Sequence, residues 1–111
     1  GGAPKQNLDA TATNAAVQSN EQVLKAVYTF DNDISPNRFT VKKGAPVRFE
    51  IDVKENGYGC MSTIMVPGLY DRSQYLKAGV KIVMSFTPDK IGDFNITCAM
   101  GVPRGVITVT N

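Results

Sequence analysis

The sequence predicts an all-β protein, an antiparallel β-sandwich of about seven short strands. Three observations carry that prediction. From residue 23 onward, apolar and polar residues alternate with the period of two that half-buried strands require. Gly, Pro and an Asn-Gly pair interrupt these runs at the short intervals typical of turns. The chain has 111 residues, enough for one domain with a modest core.

The first 22 residues, "GGAPKQNLDATATNAAVQSNEQ", depart from this pattern. Ala, Thr, Asn, Gln and Ser dominate, and Leu8 and Val17 are the bulky apolar residues. Such a segment cannot bury enough surface to offset the entropy of ordering it. It reads as a linker or flexible tail ahead of a domain over residues 23–111, with a short helix over "ATNAAVQSNEQVL" as the alternative. The opening "GGAPKQ" lacks a methionine and reads as the start of a processed or excised piece.

The strands follow in order. "VYTF" (27–30) and "RFTVK" (38–42) are short alternating runs. In "VRFEIDV" (47–53), Val47, Phe49, Ile51 and Val53 share one face, and Arg48, Glu50 and Asp52 the other. "STIMV" (62–66) ends at Pro67. In "VKIVMSF" (80–86), Val80, Ile82, Met84 and Phe86 form the apolar set, which makes Met84 a core residue. "DFNITCAM" (93–100) and "VITVT" (106–110) complete the set. "KKGAP", "ENGYG" and "TPDKIG" supply hairpin punctuation, with Asn56-Gly57 suited to the positive φ of a tight turn. Residues 67–79 show no strand pattern and read as a crossing loop or one helical turn.

Composition excludes several functions. Histidine is absent. That removes Ser-His-Asp and Cys-His catalysis, imidazole zinc sites and blue-copper centres, which need two His beside their Cys. The chain therefore reads as non-catalytic. A net charge of +2, with basic residues scattered, gives no surface for nucleic acid. No apolar run reaches the length of a membrane span, so this piece does not itself insert. The Asn95–Thr97 glycosylation sequon is too short a match to carry weight.

What remains is sulfur. Cys60 and Cys98 stand 38 positions apart (98 − 60). Parity places Cys98 on the inward face with Phe94 and Ile96, at a strand end, with Met100 following at the rim. Cys60 occupies another strand-to-turn junction, beside Met61. Thiolates and thioethers are soft donors that favour Cu(I), an ion satisfied by two or three ligands. Two thiolates alone fall short of a structural zinc site. Three readings stay open for these cysteines: small buried hydrophobes, a disulfide joining two strand ends, or a metal site. Met65 is ambiguous, because its parity opposes Ile64 and Val66.

From Val27 to Thr110 the chain resembles the cupredoxin-like domains of the His-free, Cu(I)-binding kind. These occur in membrane-anchored bacterial copper chaperones and fused to heavy-metal or sulfite-exporter-like membrane proteins. Four stretches in order carry the resemblance: "ISPNRFTVKKGAPVRFEI", "GYGC" with "IMVP", "LKAGVKIVMSFTPDKIGDF", and "CAMGVPRGVITV". The resemblance implies a Greek-key sandwich and a Cu(I)-binding role in copper chaperoning, transfer or efflux. It implies thiolate ligands from Cys60 and Cys98 and a thioether from Met100, with Met61 as a further candidate. Val102 departs from the family pattern, which often has a second Met there. Arg104, the basic residue of the last loop, reads either as a screen for thiolate charge or as a solvated side chain, with the latter favoured. The implied partners are copper ion and a copper-transporting membrane protein or another copper-binding domain. The implied location is extracytoplasmic, on the periplasmic or cell-surface side, tethered to a membrane within a larger protein. The alternative is a β-sandwich interaction module stapled by a Cys60–Cys98 disulfide, without metal.

Overall fold

A computed structural model describes residues 20–111. Nine strands follow one another: β1 (Gln22–Thr29), β2 (Asp33–Ser35), β3 (Arg38–Lys42), β4 (Val47–Val53), β5 (Thr63–Val66), β6 (Tyr70–Tyr75), β7 (Lys81–Phe86), β8 (Gly92–Thr97) and β9 (Pro103–Thr110). They form two sheets, of order β2-β1-β4-β7 and β3-β9-β8-β5-β6. A 3₁₀ turn over Gly59–Ser62 precedes β5. Among the described residues no helix is long and apolar enough to cross a membrane.

All seven strand segments read from the sequence are present. The two additional strands carry little pattern. β2 is three residues long. β6, "YDRSQY", lies within the stretch expected to be a loop or helical turn. It is an edge strand with an exposed, charged centre, a composition that edges favour and that hides period-two alternation. The tail expected over 1–22 lies outside the described residues up to residue 19. Its last residue, Gln22, opens β1, and the helix considered over 12–24 does not extend to Gln22–Leu24, which are strand.

The sheets are mixed rather than antiparallel throughout. β1 runs parallel to β4, with Gln22 opposite Val47 and Tyr28 opposite Val53. β3 runs parallel to β9, with Arg38 opposite Val106. The cause lies in the connections read as hairpins. The Gly44–Pro46 turn joins β3 to β4, and the Pro88–Gly92 stretch joins β7 to β8, and each crosses from one sheet to the other. A strand delivered by such a corner pairs with one that arrives from elsewhere, so the local turn does not set its direction.

Inward residues of both sheets meet in one core: Phe49, Ile51, Ile64, Met84, Ile96 and Ile107 are fully buried. Each such side chain contributes about 1.5–3 kcal/mol by leaving water. Met84 is core, as its parity requires. Val80, expected beside it, precedes β7 and is exposed. The strands also define two poles. At one, Gln22 donates from its backbone to Pro46 O (2.8 Å), and Lys43 N–H donates to Thr110 O (2.7 Å). The ends of β1, β4 and β8 and the start of β9 lie at the other, and both cysteines are there.

Candidate functional site

The Cys98 loop follows from how β8 stops. Beyond Thr97 the chain turns through Cys98–Val102, closed by Gly101 N–H to Cys98 O (3.0 Å) and Cys98 N–H to Val102 O (3.1 Å). Gly101 takes φ +84°, a conformation open to glycine at no steric cost. The Thr97 hydroxyl donates to Cys98 O (2.8 Å). Cys98 is fully buried, so its inward parity holds at the strand end. The strand does not persist to Met100, which stands 77% exposed at the tip, with Val102 beside it also exposed. Burial pushes the Cys98 thiol pKa up. Amide hydrogen bonds from Val102 and Met100 and the charge of Arg104 act against it and prevail, holding it below the ordinary thiol value.

The Cys60 loop is built differently. Asn56-Gly57 does not make a hairpin turn. Instead the Asn56 side chain accepts from Ala78 N–H (2.8 Å), and Gly57 N–H donates to Leu76 O (2.8 Å). A side chain at Gly57 would meet the Ser62 backbone at 2.9 Å, so glycine is there for close approach rather than for positive φ. Glu55 accepts from Phe30 N–H (2.8 Å), and the Phe30 and Tyr58 rings meet edge to face at 5.7 Å. The chain then enters the Gly59–Ser62 turn, where Cys60 is exposed and Met61 half-buried. Both cysteines are free thiols.

Two sets of contacts bring the loops together. Ala99 N–H, next to Cys98, donates to Thr63 Oγ1 (2.9 Å), three residues after Cys60. The second is Arg104, which is not solvated. Its side chain is 1% exposed. Nε pairs with Asp33 Oδ1 (3.0 Å), Nη2 donates to Met61 O (3.0 Å), and Nη1 donates to Thr63 O. The reason is a bulge. Gly105 pairs with Ile96 but Pro103 pairs with Thr97, which leaves Arg104 as the extra residue on β9. A bulge re-aims a side chain, so Arg104 turns inward although strand parity from Ile107 and Val109 points it out. Asp33 meets it from a positive φ of 58°, a conformation Asp adopts more readily than most residues. Asp33 and Thr63 leave no sign in the sequence, and the solvated reading favoured for Arg104 is overturned by its burial. Pro and Gly flanking Arg104 are the one signal that the ladder is irregular there.

Of the sequence-predicted residues, Cys60, Met61, Cys98 and Met100 thus sit on two joined loops at one pole. Met65 is on β5 opposite Thr97, and Met84 is in the core. Among the described residues no three Cys, Asp or Glu side chains cluster as a metal site.

Residues 8–109 match the family model described as a cupredoxin-like domain. The chain belongs to the cupredoxin-like domain family. Solved structures similar to this cupredoxin-like chain include a copper-binding protein in its apo form, at 22% identity and a TM-score of 0.68, covering 85% of this chain and 92% of that one. The metal-binding domain of the Cu(I)-exporting P-type ATPase CopA of Streptococcus pneumoniae D39, solved with Cu(I), is similar at 19% identity and a TM-score of 0.68, covering 87% and 93%. Reduced auracyanin from Roseiflexus castenholzii is similar at 15% identity and a TM-score of 0.59, covering 81% and 98%. These likenesses establish the shared cupredoxin-like sandwich. No curated protein matches the sequence.

Proposed function

We propose that this domain binds Cu(I) as cargo, through the thiolates of Cys60 and Cys98 and the thioether of Met100, and hands it on without catalysing a reaction. The observation that carries the reading is the pairing of two free thiols, one buried and one exposed, on loops joined at a single pole that also bears an exposed methionine. The donor set is soft and free of imidazole, which suits Cu(I) and serves Cu(II) poorly. Cys98, with its depressed pKa, offers a thiolate at lower proton cost. Met61 is the alternative thioether, and its half-buried position on the turn favours Met100 over it.

The arrangement suits transfer. A two- or three-coordinate ion has room for an incoming thiolate or thioether before an old ligand leaves, so exchange is fast even when binding is tight. Cys60 and Met100 face solvent and are the groups an incoming donor meets first. The fitting partners are a copper-transporting membrane protein or another copper-binding domain, with the domain tethered on the extracytoplasmic side. Copper-binding and Cu(I)-exporting proteins among the structural neighbours support copper as the cargo.

Anaerobic native mass spectrometry of the reduced protein tests this directly. About one Cu(I) per chain is expected, retained against a competing chelator, and lost when Cys60→Ser and Cys98→Ser are combined. Unchanged copper stoichiometry in that double variant would sink the reading. So would an intense visible band on adding Cu(II), which would mark a blue-copper centre instead.

A further inference from the structure

Arg104 is an unusual residue to find where it is. A cation with a side chain 1% exposed loses most of its hydration, and its carboxylate partner Asp33 is itself 36% exposed. The guanidinium sits 6.0 Å from the centre of the Tyr28 ring, and its two terminal nitrogens each donate to a backbone carbonyl. Those carbonyls belong to Met61 and Thr63, on either side of the Gly59–Ser62 turn's exit. The turn has no buried residue and no side-chain cap of its own. What fixes it is external: Leu76 N–H to Ser62 O, Ala99 N–H to Thr63 Oγ1, and the two bonds from Arg104. Arg104 lies two residues beyond Val102, which closes the Cys98 loop. One rigid fork therefore connects the strand leaving the Cys98 loop, the β1–β2 corner at Asp33 and the turn that presents Cys60.

We propose that Arg104, aimed inward by the β9 bulge and braced by Asp33, is the positioning residue of the Cu(I) site. It holds the Cys60 turn against the Cys98 loop and places a fixed positive charge beside a site that becomes anionic on loading. This rests on the Cu(I) reading above, with Cys60 and Cys98 as the thiolates. The charge balance is simple: two thiolates and one Cu(I) leave a net negative charge, half of it on a cysteine removed from water. A buried guanidinium nearby offsets that cost. Gly105, next in the chain, is part of the device. A Cβ there would fall 2.5 Å from Asn37 O, so glycine lets the bulged strand lie against the β2–β3 connection that follows Asp33.

Arg104→Lys is the discriminating variant. Lysine keeps the charge but cannot hold a carboxylate and two carbonyls as a planar fork. In the metal-free protein, hydrogen exchange at residues 59–63 should speed up while β4, β7 and β8 keep wild-type protection. In anaerobic competition against a Cu(I) chelator, affinity should fall by about 10–100-fold, the range for residues that orient metal ligands without touching the metal. Wild-type Cu(I) affinity in a folded Arg104→Lys protein would overturn the proposal. Should that variant fail to fold, Asp33→Asn takes its place. Asn tolerates the positive φ and replaces the ionic brace with a neutral acceptor while leaving Arg104 intact. It should weaken Cu(I) binding less than Arg104→Lys does, and unchanged affinity would again overturn the proposal. If the wild type itself binds no Cu(I), the functional reading fails. The positioning of the turn is then still decided by exchange in the metal-free protein, where wild-type protection at 59–63 in Arg104→Lys counts against it.

Discussion

The two loops that carry the cysteines reach the same pole by opposite means. The Cys98 loop is a short hairpin connection that closes on itself through hydrogen bonds between Cys98, Gly101 and Val102, with its cysteine facing the core. The Cys60 loop runs from Lys54 to Ser62 and takes its shape from outside, from Ala78, Leu76, Phe30 and Arg104. The first is closed mainly by its own residues, and the second by contacts 14 (76 − 62) to 43 positions away. A pair of ligands made this way combines one preset donor with one donor whose placement depends on the whole fold.

The sharpest break of this comparison is the metal-free stability of the two cysteine variants. Cys98→Ser puts a hydroxyl into a fully buried position and should cost about 1–3 kcal/mol in chemical denaturation. Cys60→Ser, on an exposed site, should stay within about 0.5 kcal/mol of wild type. Equal losses would mean that the two sites are not differently embedded.

The glycines separate the loops next. Gly57→Ala drives a Cβ against the Ser62 backbone and should lose about 1–3 kcal/mol, with Gly57→Asn no better. Gly101→Ala meets no neighbour but carries the φ penalty of about 1–2 kcal/mol, which Gly101→Asn should partly restore because Asn visits that region readily. Thermal melts of the four variants give the comparison. Rescue by Asn at Gly57 would contradict the close-approach explanation.

Alkylation reports the same difference as a rate. In the reduced, metal-free protein iodoacetamide should modify Cys60 to completion before Cys98 reacts, because access limits Cys98 although its pKa is depressed. Peptide mapping after a short pulse reads the order, and prior modification of Cys98 would invert the comparison.

The smallest effect lies outside both loops and serves as their control. Glu50 is buried on β4, and that burial pushes its pKa up. Its hydrogen bond and ion pair with Lys81 (3.1 Å) and the charges of Arg48 and Lys25 outweigh this and hold it below the usual carboxylate value. A carboxylate depressed in the folded state stabilises the protein above its unfolded pKa, and that contribution is lost as pH falls through the folded one. Wild type should therefore lose part of its stability on acidification below the ordinary carboxylate range. Glu50→Gln should flatten that part of the profile and leave copper binding at neutral pH unchanged.

Much of this protein is legible along the chain, and the limits are physical. Period two reveals strands whose faces differ in polarity, so β4 and β7 were clear and the charged edge strand β6 was not. Turn residues reveal where the chain bends but not which sheet receives it, so the Gly44 and Pro88 corners read as hairpins and the parallel pairs were missed. Cys98 was readable because parity survives to the end of β8. Arg104 was misread because a single inserted residue reverses parity, and only the pairing of Gly105 with Ile96 and Pro103 with Thr97 exposes it. Asp33 lies 71 positions from Arg104, beyond any local signal.

The course of the outer strands has a practical side. β1 begins, and β9 ends, at the pole remote from both cysteines, and an eight-residue strand separates the poles by about 25 Å. Any resin, label or surface coupled at Thr110 or just ahead of Gln22 is therefore anchored behind the domain. The sulfur-bearing end points outward from that anchor, free to swing into contact with whatever approaches.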